Sequence, residues 1–413
     1  MNAVDDRLVR KQQTTINKLF YEQVPALGMR NYWHPVASGR QIGRKKPLAL
    51  TVMGDEVAIM RRNGKLFAVA NECPHRGSRL SRGTCEFPGS NTVTCRYHGW
   101  TFDLEDGALM AALTDGPDSP ILNKQIRVRT YPVEERKGIV WIWMASEEPV
   151  PVEEDIPPAM LAAEEVHIVQ RHVRGNWRWH VENPGLGHAT MLHRDSLYMR
   201  FVDMFGFGKN FSAPLMDEGN DGEWLQERMA DFGRSAEFEG LGEWPVHRIG
   251  EVIPLAEMPP VQGVTTIVSV KVPGIIRITN FPIRNVMYYE WFVQTDEDHY
   301  LYFQTCCSYA KTLKEKISFW LRFFAWGRFV GMIRFNNQDL AMIEDSHDYA
   351  KRRGFNDPIP SYRPDQFQIA WRRYLLKFGR GFNFPEMDEM EVETAQPEVV
   401  VEPDKAEPST ASS

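Results

Sequence analysis

Cys73 and His75 lie in a C-P-H-R-G stretch, and Cys95 and His98 lie in a C-R-Y-H-G-W stretch about twenty residues further on. Two thiolates and two imidazoles on paired short loops can hold a two-iron cluster, with the cysteines on one iron and the histidines on the other. Exchanging two thiolates for neutral imidazoles makes such a centre less negative and raises its potential. The constellation therefore reads as a one-electron relay. The same donors would satisfy one tetrahedral zinc, although zinc sites usually use C-x2-C spacing and the first pair here is C-x-H. A zinc-bound structural protein is the competing reading, and a colourless preparation would favour it.

A second set of donors lies downstream. His188 and His193 are five residues apart, and Asp339 sits far along the chain in F-N-N-Q-D. Two imidazoles and one carboxylate make the facial triad that binds non-haem Fe(II) and leaves the opposite face open to dioxygen. At i and i+5 two side chains diverge by about 140° on an ideal helix, so a bulge or kink must bring the histidines together. An electron relay needs an acceptor, and these three groups are the best-placed candidates. Of the other cysteines, Cys306 and Cys307 are adjacent and Cys85 stands alone, which gives no disulfide framework. With no apolar leader at the N-terminus, a reducing cytoplasm is expected.

The elements that position these groups imply an α+β protein of two domains. The chain has 413 residues and a formal charge of -7. Residues 386–413 hold nine acids against one lysine, so the remainder is near neutrality and nothing in the charge suggests nucleic acid. That acidic tail is expected to be disordered. Residues 1–29 read as an N-terminal segment, 30–146 as the small antiparallel cluster domain, 147–158 as a linker and 159–385 as the catalytic domain. Alternating runs at Leu48 to Met53, Val57 to Arg61 and Leu66 to Ala70 predict strands, with Asn63-Gly64 supplying a tight hairpin turn. Ile139 to Met144 closes the domain. The linker carries five carboxylates and four prolines. Beyond it, Arg174 to His193 is expected to be a helix distorted near Pro184 and Gly185. Thr265 to Val272, Ile275 to Ile278, Tyr288 to Gln294 and Tyr300 to Thr305 read as strands, and Thr312 to Tyr349 and Asp365 to Phe378 as helices. The aromatic-rich Ile317 to Ile333 is interrupted by Arg322 and Arg328, which argues against a membrane span. A core helix roofing an apolar pocket is the expectation.

Taken together, C-P-H-R-G, C-R-Y-H-G-W-T, L-T-D-G, Y-P-V-E-E-R-K-G, V-E-N, H-R-D-S, N-F-P, Y-F-Q-T, F-N-N-Q-D and A-W-R-R resemble the Rieske non-haem iron ring-hydroxylating oxygenases from about Asn31 to Phe384. The details are most similar to terminal oxygenases of the carbazole dioxygenase type. The resemblance implies that Cys73, His75, Cys95 and His98 ligate a [2Fe-2S] cluster and that His188, His193 and Asp339 ligate a mononuclear Fe(II). It also implies O2 as cosubstrate, a homotrimer, and hydroxylation, in the leading reading dihydroxylation, of an aromatic, polycyclic or heteroaromatic substrate. Phe281 in N-F-P resembles a pocket residue, with Leu197 to Phe207 and Phe329 to Phe335 as further apolar walls. No G-x-G-x-x-G loop occurs, so NAD(P)H would act only through a ferredoxin and a ferredoxin reductase, or a single reductase. Arg76, Arg79, Arg82 and Arg96 around the cluster loops would suit an acidic donor.

One departure stands out. The family usually places an aspartate three residues before the first iron histidine as a bridge to a neighbouring subunit's cluster, and this chain has Gly185 there. Glu182, or Asn183 with water, is the candidate substitute. Two rivals remain open: a monooxygenase or O/N-demethylase on the same scaffold, and an electron-transfer protein with an inactive second domain. Three irons per chain are expected of an oxygenase and two of a carrier.

Overall fold

The computed structural model describes residues 15–43, 46–183, 189–193, 195–204, 215–217, 224–227, 234–238, 240, 242–246, 268–354, 366–382 and 384. The acidic tail lies outside the described residues, as do His188 and Gly185. Three small antiparallel sheets make up the first half. Leu48–Val52, Asp55–Arg62, Lys65–Ala70 and Thr130–Tyr131 form one; Thr92–Thr94, Trp100–Asp103 and Leu109–Ala112 a second; Trp33–Ser38, Ile139–Trp143 and Val133–Arg136 the third. Asn63 and Gly64 turn the first hairpin with φ of 47° and 83°, the positive values that match a tight turn to the twist of its strands. The segment expected as a linker contains one helical turn, Val152–Asp155, and leads into a second, Pro158–Ala162.

A seven-stranded antiparallel sheet forms the centre of the second half. It runs in the order Glu165–Arg174, His299–Ser308, Val286–Gln294, Ile275–Thr279, Val268–Lys271, Leu225–Glu227 and Leu215–Asp217. One face packs on the cluster domain. Ile139–Trp143 reads I-V-W-I-W and is buried at every position, because it lies between the small sheets and the large one. Trp141 meets Trp291 edge to face at 5.6 Å, and Val293, Leu301 and Phe303 complete the shared core.

The other face carries the helices. Residues 15–23 form a helix whose Ile16 and Phe20 are fully buried. Phe20 packs in one cluster with Trp177, Val181, Tyr300 and the C-terminal helix Gln366–Phe378 through Trp371 and Leu375. Residues 15–29 thus pack into the core of the large sheet's helical face. Leu313–Arg322, a π-helical stretch Phe323–Phe335 and Asn336–Arg353 run end to end where one or two ordinary helices were expected. Thr312 caps the first with a reciprocal Thr312–Glu315 box. The aromatic-rich part is amphipathic rather than wholly core: Phe319 and Phe323 are buried, whereas Trp320, Phe324 and Phe329 are exposed. Among the described residues no helix is long and apolar enough to cross a membrane. Gly331 lets the π stretch press on the loop before Val286–Gln294, since a Cβ there would lie 2.2 Å from the Pro282 side chain.

The expected helix from Arg174 to His193 is broken. Arg174 ends a strand, Asn176 caps a short helix Trp177–Val181, and a separate turn Ala189–Leu192 precedes His193.

Candidate metal centres

The two cluster loops have the same backbone design. In the first, the Cys73 amide donates to the Ser78 carbonyl at 2.9 Å and the Gly77 amide to the Cys73 carbonyl at 2.9 Å. In the second, the Cys95 amide donates to Trp100 at 2.8 Å and the Gly99 amide to Cys95 at 3.0 Å. Gly77 and Gly99 both have φ of 68°, which lets each loop turn back over its cysteine. Cys73 and Cys95 are buried close enough for each sulfur to feel the other. The rings of His75 and His98 stand 4.6 Å apart, half-buried, and His75 stacks on Trp100 at 4.6 Å. Burial pushes the Cys73 thiol up to about 11, against the pull of the His75 and Arg76 amides on its sulfur. Ligation must displace that proton.

Among the described residues no three His, Cys, Asp or Glu side chains gather about one ion-sized site. The four loop residues stand instead as a sulfur pair and a nitrogen pair. A two-iron cluster uses that division, with the sulfurs on one iron and the nitrogens on the other.

The second centre is assembled across the fold. His193 Nε2 lies 3.2 Å from Asp339 Oδ1, and both residues are buried. His193 Nδ1 donates to Gln338 Oε1 at 3.0 Å, and Asn183 Nδ2 donates to Asp339 Oδ1 at 2.9 Å. With Nδ1 turned to Gln338, Nε2 is the nitrogen that faces the carboxylate, and either a proton or a metal ion can join the two atoms. Ligands at about 2.1 Å and at right angles on one metal ion lie about 3 Å apart. The residues present therefore fit a metal, and Gln338 and Asn183 orient its ligands from behind. His188, the third expected ligand, lies outside the described residues.

Glu182 is placed differently from expectation. Its carboxylate takes Arg372 Nε and Nη2, both at 2.6 Å, and is 2% exposed. Tyr21 adds a hydrogen bond, and Arg372 also holds Asn17. Both oxygens are engaged by a buried guanidinium rather than turned to the surface. Glu182 ties the end of the short helix to the N- and C-terminal helices. Asn183, its neighbour, is the one that reaches the metal centre.

Phe281 is buried in an aromatic cluster: its ring lies 5.2 Å from Tyr198, 5.1 Å from Tyr288 and 5.5 Å from Phe335. Phe335 stacks on His193 at 3.8 Å, so the cluster reaches the metal centre. Behind it lies a polar group that sequence reasoning missed. Tyr288 donates to Glu290 Oε1 at 2.7 Å, Tyr302 donates to the same oxygen, and Asn336 Nδ2 lies 2.9 Å from each hydroxyl. Gln304 donates to Tyr288. Burial pushes Glu290 up to about 7, opposed by the Tyr302 and Tyr288 hydroxyls and reinforced by Asp339. The signal was available, because Glu290 is the single acid in the apolar strand V-M-Y-Y-E-W-F-V-Q.

Comparison with known proteins adds to this geometry. Residues 32–132 match the Rieske [2Fe-2S] domain, and residues 143–383 match the family described as homotrimeric ring hydroxylase. The terminal oxygenase component of carbazole 1,9a-dioxygenase from Metapseudomonas resinovorans is 30% identical over 366 residues, 86% of this chain and 92% of that one. The solved terminal oxygenase of carbazole 1,9a-dioxygenase from Nocardioides aromaticivorans IC177 superposes with a TM-score of 0.71 at 28% identity, covering 89% of this chain and 99% of that one. The reduced complex between oxygenase and ferredoxin in carbazole 1,9a-dioxygenase gives a TM-score of 0.68 at 26% identity, over 96% and 99% of the two chains.

Proposed function

Since the chain belongs to the homotrimeric ring hydroxylase family and carries a Rieske domain, it is the oxygen-incorporating terminal component of a Rieske system, and we propose the residues and substrate class through which it works. Cys73 and Cys95 hold one iron of the [2Fe-2S] cluster and His75 and His98 the other. His188, His193 and Asp339 hold the mononuclear iron. When bound, the cluster supplies single electrons and the mononuclear iron supplies the centre at which O2 is reduced. The observation that carries this reading is the 3.2 Å approach of His193 Nε2 to Asp339 Oδ1 with both side chains buried.

The protein's own part is placement. Gln338 fixes the His193 tautomer and Asn183 the Asp339 carboxylate. Tyr198, Phe281, Tyr288 and Phe335 form the apolar wall on which a flat aromatic or heteroaromatic ring, of the size of carbazole, is held beside the metal. Water is kept out by the same rings. Electrons arrive from a ferredoxin that docks at the cluster loops, where Arg76, Arg82 and Arg96 are exposed beside Tyr97 and Met110, 59% exposed each. The ferredoxin takes its own electrons from a reductase, and the active assembly is a trimer.

Metal analysis and oxygen uptake test the reading. Purified protein should contain three irons per chain and give the paramagnetic resonance of a reduced mixed-ligand cluster. With a surrogate ferredoxin and reductase it should consume O2 when polycyclic or heteroaromatic compounds are added. A colourless protein, or uptake that ignores every aromatic compound in the panel, would overturn it.

A further inference from the structure

Asn336 stands where the helix changes pitch. The π stretch ends at Phe335, the ordinary helix begins at Asn336, and Asp339 follows one turn later on the same side. The point at which wide turns give way to narrow ones sets the rotational phase of everything after it. A shift of that junction by one residue would swing the Asp339 carboxylate away from His193.

The side chain of Asn336 pins the junction to the sheet. Its amide Nδ2 lies 2.9 Å from the Tyr288 hydroxyl, 2.9 Å from the Tyr302 hydroxyl and 3.2 Å from Glu290 Oε1. Two of these groups come from Val286–Gln294 and one from His299–Ser308, the adjacent central strands. The donors and acceptors form a closed set. Tyr288 and Tyr302 give their protons to Glu290 Oε1, which leaves their oxygens to accept the two amide hydrogens of Asn336. Gln304 Nε2 supports it from below, donating to Tyr288 and to the Met332 carbonyl inside the π stretch at 3.1 Å. Asn336 is 5% exposed and Glu290 5% exposed, so water does not substitute for either. Among the described residues every side-chain hydrogen bond of Glu290 runs through Oε1.

We propose that Asn336, seated on the Tyr288, Tyr302 and Glu290 trio, is the positioning residue of the mononuclear metal centre: it locks the pitch change of the helix so that Asp339 faces His193. The inference rests on the assignment of Asp339 as a ligand. It differs from the roles of Gln338 and Asn183, which touch the ligands themselves, because Asn336 acts through the helix.

The test uses the full chain with its cluster intact and reads metal binding rather than turnover. Co(II) is titrated into protein stripped of mononuclear metal, and affinity and ligand-field absorption are recorded for the parent, Asn336→Ala, Tyr302→Phe, Glu290→Gln and Asp339→Ala. Asn336→Ala should lose about 10- to 100-fold in Co(II) affinity, the range for residues that support ligands from behind, and should show an altered absorption envelope. Tyr302→Phe removes one acceptor and should lose less, with the same direction of spectral change. Glu290→Gln keeps an oxygen acceptor at Oε1 and should retain the parent envelope. The cluster's visible spectrum should be unchanged in all. Parent affinity and envelope in both Asn336→Ala and Tyr302→Phe, with Asp339→Ala impaired, would overturn the role of Asn336 alone. Parent-like binding by Asp339→Ala would remove the ligand assignment beneath it. If Asn336→Ala does not fold, Tyr302→Phe decides.

Discussion

The cluster loops and the mononuclear centre solve the same problem, holding metal ligands still, with different parts of the chain. At the cluster, each loop is closed by its own backbone within six positions, and the four ligands come from two short stretches. At the mononuclear centre His193 and Asp339 are 146 residues apart, and what fixes them is a set of side chains: Gln338, Asn183 and the group around Asn336. Backbone support is local and tolerant of the side chains around it. Side-chain support is dispersed, and each member is a point of failure.

That contrast can be broken most directly by removing one ligand from each region. Asp339→Ala should reduce product formation to the background of the assay while leaving the cluster's visible absorption and reduced-state resonance as in the parent. Cys95→Ser should do the reverse to the spectra, abolishing the cluster signals while Co(II) still binds at the mononuclear centre; turnover is lost because the electron supply is gone. If Asp339→Ala bleached the cluster, the two regions would not be independent and the comparison would fail.

The difference also explains which parts were legible in the sequence. The Asn63-Gly64 turn and the strands around it follow from short-range patterns, and the structure places them within a residue or two of expectation. His193 and Asp339 could be paired only by analogy of donor type, since no local pattern joins them. The pairing of Glu182 was not legible because its partner, Arg372, is 190 positions away and its own surroundings resemble an exposed helix end. The break in the Arg174 to His193 helix and the π stretch were not legible either. Both depend on tertiary packing that overrides an amphipathic pattern. Glu290 was visible as an acid in an apolar strand, but its meaning required knowing that two tyrosines and an asparagine share its pocket.

The Glu182–Arg372 pair sharpens the comparison on the stability side. Its side chains are 2% and 7% exposed, so breaking it leaves a buried charge without a partner. Arg372→Met should cost about 3–5 kcal/mol. Urea unfolding followed by tryptophan fluorescence measures this, and the cluster's absorption should persist up to the lowered midpoint. Unaltered stability would mean that Glu182 finds another partner.

His34 probes the seam between the two regions, because Trp33–Ser38 packs the cluster domain against the large sheet. Burial lowers its imidazole to about 4, and Nε2 donates to the Met29 carbonyl at 2.8 Å, so the native state holds it neutral. The unfolded chain takes up the proton first, near 6.5. The contribution of His34 is therefore complete above that value and falls away as pH drops towards 4, by about 3 kcal/mol over the window. His34→Gln keeps a donor for Met29 and should flatten the decline of the urea midpoint between those two pH values. A variant with the parent's acid sensitivity would place the titrating group elsewhere.

The smallest expected effect comes from Gly331, where the π stretch meets the Phe281-Pro282 loop. A methyl group at this position would sit 2.2 Å from the Pro282 side chain and 3.4 Å from its Cα, so either the helix or the loop must move. Overpacking of this kind costs about 1–3 kcal/mol. The loop is taken as the softer side, since Phe281 is held by the rings of Tyr198, Tyr288 and Phe335. Gly331→Ala should therefore displace Phe281 and raise the KM for a polycyclic substrate, with kcat, Co(II) affinity and cluster spectra close to the parent. A loss of Co(II) affinity instead would show that the strain travels along the helix to Asp339, which would make the pitch of that helix, rather than the pocket wall, the feature most sensitive to packing.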